Sequence, residues 1–265
     1  MNIDLSARTA IISGSTGGIG LAIARGLARA HADVVIAGRS QSSVDAALTE
    51  LRAQGGRGQV HGVVADLGSA AGAETLFVAH PKADILVNNL GIYDNVDFFE
   101  VEDSEWARFY ETNVLSGVRL ARHYAPAMVE KGWGRILFIS SESGIATPAD
   151  MINYGVTKSA NLAVSHGLAK RLAGTGVTVN SVLPGPTLTD GVAKLVAEAA
   201  KASGRSIREE ADNFVRSARP SSIIQRAADV DEVAHLVVYL ASPYSSATTG
   251  AALRVDGGVV DSMAI

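Results

Sequence analysis

With 265 residues, 47% of them hydrophobic and 27 of them glycine, the chain can bury a sizeable core, and one α/β domain over 1–265 accounts for it without linker, repeat or low-complexity segment. The absence of cysteine excludes disulfides and thiolate metal sites, leaves no metal expected, and makes a reducing cytoplasm the expected compartment. A formal charge of -4 without a basic block argues against nucleic acid, and the polar start and lack of a run of ~18 apolar residues argue against a secretory signal or membrane span; a small molecule is the expected partner.

The first β-branched run, residues 9–13, leads into Ser13-Gly14-Ser15-Thr16-Gly17-Gly18-Ile19-Gly20 and then the helical pattern Leu21-Ala22-Ile23-Ala24. Glycines there permit a tight turn and close approach of backbone to ligand, and the free N–H groups and dipole of a helix start favour a pyrophosphate. The second run, 33–37, ends in Gly38-Arg39-Ser40 with no acid. At that place a carboxylate accepts from a free ribose 2′-hydroxyl, whereas an arginine accommodates a 2′-phosphate. Arg39 therefore favours NADP(H) over NAD(H); the plain alternative is a solvated arginine at a strand end.

Further runs at 59–64, 85–87, 135–140, 177–183 and 252–255 alternate with stretches of helical period, the rhythm of βαβ units. Ile136-Leu137-Phe138-Ile139 is apolar at successive positions, as a strand buried on both faces must be. The expected architecture is a single Rossmann-type, doubly wound domain: a mainly parallel, seven-stranded sheet with helices on both faces. Ligands of such a sheet sit beyond the carboxyl ends of its strands. Ser141 follows the fifth run, and Tyr154 has Lys158 four positions on, beside the helical stretch 156–172, which stacks the pair on one face. A cation beside a phenol lowers its pKa from ~10 and suits it to proton exchange with a carbonyl or alcohol oxygen, to which Ser141 adds a hydroxyl. Between Pro184 and Arg226 the rhythm breaks: a polar insertion, about 186–225, is helical at 192–202 and 207–217 and lacks a strand signal. It reads as a mobile lid over the substrate site, or else as an ordinary surface helical hairpin.

The chain carries, in order, Gly14-x-x-x-Gly18-x-Gly20, Asp66-Leu67, Asn88-Asn89-Leu90-Gly91, Asn113 within Thr112-Asn113-Val114, Ser141, Tyr154-x-x-x-Lys158, Pro184-Gly185 and Asp256-Gly257-Gly258. Over nearly its whole length it resembles the short-chain dehydrogenase/reductase family. Leu90 replaces the usual alanine and Ser13 the usual threonine, and neither removes chemistry. The resemblance implies that Tyr154 is general acid in carbonyl reduction and base in reverse, that Lys158 binds the nicotinamide ribose and tunes the tyrosine, and that Ser141 polarises the carbonyl. Asn113 would hold a water that relays protons from Lys158 to solvent. Gly14, Ser15, Thr16, Gly18, Ile19 and Gly20 would bind the cofactor's phosphates, Asp66 and Leu67 its adenine, and Asn88 would brace the central strands beside it. Gly91, Pro184 and Gly185 would also line the cofactor, with Thr189, or alternatively Thr187, on the carboxamide.

The implied activity is reversible hydride transfer between NADP(H) and a carbonyl/secondary-alcohol substrate, in a pocket built from 93–96, 142–145, 150–152 and the lid. One alternative is a 3-oxoacyl-[acyl-carrier-protein] reductase. Its carrier-docking arginines would fall on Gly132 and Thr175, with Lys131 and Arg171 nearby. A non-catalytic redox sensor is the other, against which the joint presence of Asn113, Ser141, Tyr154 and Lys158 speaks. The resemblance also implies a homotetramer, paired through 106–129 and 156–172, with the apolar tail 259–265 at a second contact.

Overall fold

Successive residues of the apolar runs face opposite sides of one sheet, and each side has its own core. The computed structural model describes residues 2–55 and 57–263, so Ala264 and Ile265 of the expected tail contact lie outside the described residues. The strands are β1 (Thr9–Ile12), β2 (Asp33–Gly38), β3 (Val60–Val64), β4 (Ile85–Asn88), β5 (Gly134–Ile139), β6 (Val177–Pro184), β7 (Thr187–Leu188), β8 (Ala228–Asp229) and β9 (Ala252–Val255). The helices are α1 (Gly18–Arg29), α2 (Gln41–Arg52), α3 (Ala70–Ala79), α4 (Asp103–Tyr110), α5 (Ser116–Lys131), α6 (Ile152–Arg171), α7 (Asp190–Ser203), α8 (Ile207–Ala218) and α9 (Val230–Ala241).

A seven-stranded sheet runs β3-β2-β1-β4-β5-β6-β9, with every pairing parallel. Each run read as a strand in the sequence lies in it. Ala10, Ile12, Val34, Ile36, Leu137 and Ile139 pack on one face with buried residues of α1, α2 and α9. Ile11, Val35, Leu86, Ile136 and Phe138 pack on the other with residues of α3, α5 and α6. β5 is buried at all of its positions, because helices cover both faces of a central parallel strand. Burying a side chain such as Ile36 or Leu137 contributes roughly 1.5–3 kcal/mol, and truncating it adds the cost of a cavity. No helix among the described residues is long and apolar enough to cross a membrane.

The chain fills the sheet outward from β1 through β2 to β3, then returns to place β4 on the other side of β1. At that reversal the loops after β1 and β4 diverge and open a crevice at the carboxyl edge. Two differences from the sequence expectation bear on this edge. The stretch 106–129 divides into α4, a single π-helical turn (Glu111–Leu115) and α5, and Asn113 lies in that turn; such turns recur at functional sites. The insertion does contain strand. β7 lies within it and pairs in parallel with β8, just past its end, Thr187 with Ala228 and Leu188 with Asp229, a ladder too short to leave a period in the sequence. Between them α7 and α8 share a small core of Val196, Ala211, Val215 and Ala227.

Candidate active site

The glycine loop is shaped by backbone demands. Gly14 and Gly18 have φ of 61° and 52°, the left-handed region that glycine enters without a steric cost. A Cβ on Gly20 would lie 2.4 Å from the Gly14 carbonyl oxygen, so only glycine lets α1 begin so close to the loop. The N-cap of α1, Gly17, makes no side-chain capping bond and the first turn holds no acid, which leaves its N–H groups and dipole open to an anion. Arg39 is exposed just past β2, beside Thr16, which packs over Gly38, and has no hydrogen-bond or ion-pair partner among the described residues. These features fit a dinucleotide carrying an extra phosphate.

Several side chains expected to contact the cofactor have partners within the fold or lie in its core. The Ser15 side chain is buried, donating to the Ile12 carbonyl at 2.6 Å and accepting from Ala37 N–H at 3.0 Å, so it ties β1 to β2 and leaves only backbone toward the crevice. Leu67 is buried in one of the two cores, while its neighbour Asp66 is exposed beyond β3. Asn88 is buried but its amide atoms have no hydrogen-bond partner. The bracing expected of it comes from Asn89, whose Nδ2 donates to the carbonyls of Ser13 (3.0 Å) and Gly14 (2.9 Å). The Ser13 hydroxyl in turn accepts from the N–H groups of Asn89 (3.0 Å) and Leu90 (2.9 Å). Two adjacent asparagines are indistinguishable by type; which one turns toward β1 depends on strand register.

α6 begins at Ile152, ahead of the period that starts at 156, which puts Tyr154 in its first turn and Lys158 one turn on. The start of the helix is pulled against the loop after β5: Ser140 Oγ donates to the Lys158 carbonyl at 2.8 Å, and Ser159 Oγ to that of Gly144 at 2.7 Å. Lys158 is buried, its Nζ donating to the Ile139 carbonyl at 2.9 Å and standing 5.4 Å from the Tyr154 ring centre. A Cβ on Gly91 would come 3.3 Å from that ammonium, so glycine lets the loop after β4 lie against it. Asn113 is buried beside them. Its Oδ1 accepts from Ile92 N–H at 2.8 Å, and its Nδ2 donates to the Ile92 carbonyl and to Thr157 Oγ1, both at 2.9 Å. Both hydrogens of the side-chain amide are thus used within the fold, and the main-chain carbonyl of Asn113 accepts from Asn161 at 3.1 Å.

The electrostatics correct one expectation. Burial, with the Glu142 charge adding to it, pushes the Tyr154 phenol above its ordinary pKa, only partly opposed by the nearby Ser141 hydroxyl. Burial likewise pushes Lys158 down to about 8, against the Glu142 charge, which favours its protonated form. Near neutral pH this phenol holds its proton.

Ser141, Tyr154 and Lys158 line one cavity of about 400 Å³ with Ile19, Gly20, Gly91, Pro184, Gly185, Thr187 and Thr189. Thr189 caps α7 by accepting from Val192 N–H and packs near Gly18, while Thr187 Oγ1 donates to the Gly185 carbonyl. A Cβ on Gly185 would strike Asp256, so glycine permits the contact between Pro184-Gly185 and the Asp256-Gly257-Gly258 turn. Tyr93, Asn95, Glu142, Ser143, Asp150 and Met151 line the same cavity, and Val192, Leu195, Phe214, Val215, Ala218 and Arg219 close it from the insertion. Arg219 was not singled out in the sequence; its only local signal is a cation before Pro220 at the end of α8. Lys131, near one of the expected carrier-docking positions, pairs its ammonium with Asp84.

The model of the short chain dehydrogenase family matches residues 8–200. The oxidoreductase YvaG of Bacillus subtilis (strain 168) is 44% identical over 263 residues, 99% of this chain and 100% of that one. The D-beta-hydroxybutyrate dehydrogenase of Rhizobium meliloti (strain 1021) is 33% identical, covering 95% of this chain and 98% of its own. Among solved structures, L-sorbose reductase from Gluconobacter frateurii, complexed with NADPH and L-sorbose, superposes with a TM-score of 0.91 at 31% identity, covering 99% of this chain and 100% of that one.

Proposed function

The chain belongs to the short chain dehydrogenase family of oxidoreductases, and on that premise we propose that it interconverts a carbonyl and a secondary alcohol on a small molecule using NADP(H). The observation that carries the reading is the convergence of Ser141, Tyr154 and Lys158 on one cavity at the carboxyl edge of the sheet, beside an uncapped helix start. The loop from Gly14 to Gly20 would hold the pyrophosphate, Arg39 the 2′-phosphate, Asp66 the adenosine end, Lys158 the nicotinamide ribose, and Thr187 or Thr189 the carboxamide. Bound there, the nicotinamide supplies or accepts the hydride. The NADPH in the L-sorbose reductase complex supports the cofactor choice.

In the reductive direction Ser141 orients the substrate oxygen and Tyr154 gives it a proton. Its raised pKa keeps that proton in place until the oxygen gains negative charge. Lys158 holds the ribose and conditions the phenol electrostatically, and Asn113 fixes the loop that carries Gly91 against it. Phe98, Phe99, Tyr110 and Val156, apolar yet exposed around α4 and α6, support pairing of copies into a homotetramer; a monomeric mass by light scattering at micromolar concentration would exclude it.

Tyr154→Phe tests the chemistry, because it keeps the ring and removes the exchangeable proton. Turnover of any accepted ketone should fall by ~10²- to 10⁴-fold with NADPH affinity retained. Near-normal turnover in that variant would remove the tyrosine from the mechanism.

A further inference from the structure

We propose that Glu142 sets the substrate class of this pocket, selecting ketones that carry a hydroxyl on the carbon next to the carbonyl over their deoxy counterparts. This rests on the reading that Ser141 and Tyr154 hold the reacting oxygen.

Glu142 follows Ser141 directly, lines the cavity and is only 6% exposed. The Ser141 hydroxyl accepts from Ser143 N–H at 3.1 Å and donates its proton to Glu142 Oε2 at 2.5 Å. A serine has one such proton. The rest of the carboxylate is thinly served. Arg219 Nε stands 3.9 Å from Oε1, beyond hydrogen-bond reach, while its Nη1 donates to the Ala218 carbonyl. Backbone amides of residues 142 and 143 are the other donors nearby, and burial outweighs all of these in raising the carboxyl above its ordinary range.

To polarise a substrate carbonyl, Ser141 must turn its proton from Glu142 to the incoming oxygen. Glu142 Oε2 then becomes a buried acceptor without its donor, and the cost of that loss weakens binding unless the substrate replaces it. A neighbouring hydroxyl does so. In a vicinal hydroxyketone the two oxygens lie about one hydrogen-bond length apart, matching the separation of Ser141 Oγ from Glu142 Oε2. A carbonyl seated on Ser141 thus brings its hydroxyl to the carboxylate, which accepts the proton that Ser141 no longer gives it. A methylene in that place leaves the acceptor bare, and a site built to bond a hydroxyl rejects the analogue lacking it more strongly than an apolar pocket can.

Acetoin and butanone differ by this one hydroxyl. NADPH oxidation with each, and calorimetric affinity of each for the NADP⁺-loaded protein, are to be compared for wild type, Glu142→Gln and Glu142→Ala. Wild type should favour acetoin at least ~10-fold in kcat/KM and in affinity. Glu142→Ala should bring both ratios to within about 3-fold of unity, and Glu142→Gln, whose amide oxygen still accepts, should recover part of the preference. Equal NADPH affinity across the three proteins checks the fold; should the alanine variant not fold, Glu142→Met, of similar volume but without an oxygen acceptor, takes its place. A wild-type ratio near one, or a preference that survives loss of the acceptor, overturns the proposal. If neither ketone oxidises NADPH but the affinity ratio holds and collapses in the variant, the catalytic reading fails and the selectivity stands. If affinities are also equal, both fall.

Discussion

Replacing Asn113 with alanine should unsettle the molecule as a whole as well as its chemistry. The side chain is 3% exposed and makes three hydrogen bonds, two to the backbone of Ile92 and one to Thr157. Thr157 keeps a partner, because its hydroxyl also donates to the Tyr154 carbonyl at 2.7 Å. The Ile92 N–H and C=O lose the amide that pairs them. At about 1 kcal/mol net for each neutral hydrogen bond, and more where a buried group is stranded, the variant should lose about 2–4 kcal/mol. For a domain of this size each kcal/mol lowers Tm by about 2–4 °C, so the melting temperature should fall by roughly 4–16 °C. Urea unfolding followed by circular dichroism should show a lower midpoint at unchanged slope. NADPH affinity should fall with it, because the freed loop lets Gly91 leave Lys158. Stability within about 0.5 kcal/mol of wild type, with turnover lost, would refute this reasoning and assign Asn113 to chemistry alone.

Two further outcomes are expected. Arg39→Ala should raise the NADPH dissociation constant at least ~10-fold, from the loss of about 1.5–3 kcal/mol, and leave NADH binding nearly untouched in a fluorescence titration; equal weakening of both would make Arg39 structural. Lys158 is held down to about 8, so above that pH the folded protein sheds a proton that the unfolded chain keeps until its ordinary value of 10.5. Wild type should therefore gain stability on Lys158→Met, by roughly 1–2 kcal/mol between pH 8 and 9.5 in urea melts without cofactor, and a constant difference across that range would contradict the shift.

The sheet was legible because its signal is local. Apolar runs such as Ile136 to Ile139 announce a strand covered on both faces, and the glycines after β1 meet a backbone demand that few other residues satisfy. The shared face of Tyr154 and Lys158 is legible for the same reason, since helical spacing alone aligns them. What escaped depends on partners distant in sequence. Neither Asn88 nor Asn89 reveals by type which one turns toward β1, and Ser15 could not be seen to spend its hydroxyl on Ile12 and Ala37. The approach of Arg219 to Glu142 joins the insertion to the loop after β5, and no periodicity marks it. The sign of the Tyr154 shift escaped too, because spacing shows the neighbouring cation but not the burial that outweighs it.

The parallel pairing of β7 with β8 gives the insertion adjacent ends, Leu188 lying opposite Asp229. A segment whose entry and exit already meet can be exchanged as a cassette, for the sheet and its glycine loop experience the same two anchor points whatever lies between them. Swapping α7 and α8 for the corresponding stretch of a relative would then replace the apolar wall of the pocket and Arg219 while keeping Ser141, Tyr154 and Lys158 in register. Natural divergence in substrate has the same route open to it: the wall can drift in sequence and length under selection for a new ligand, while the proton-transfer apparatus on the sheet is inherited unchanged.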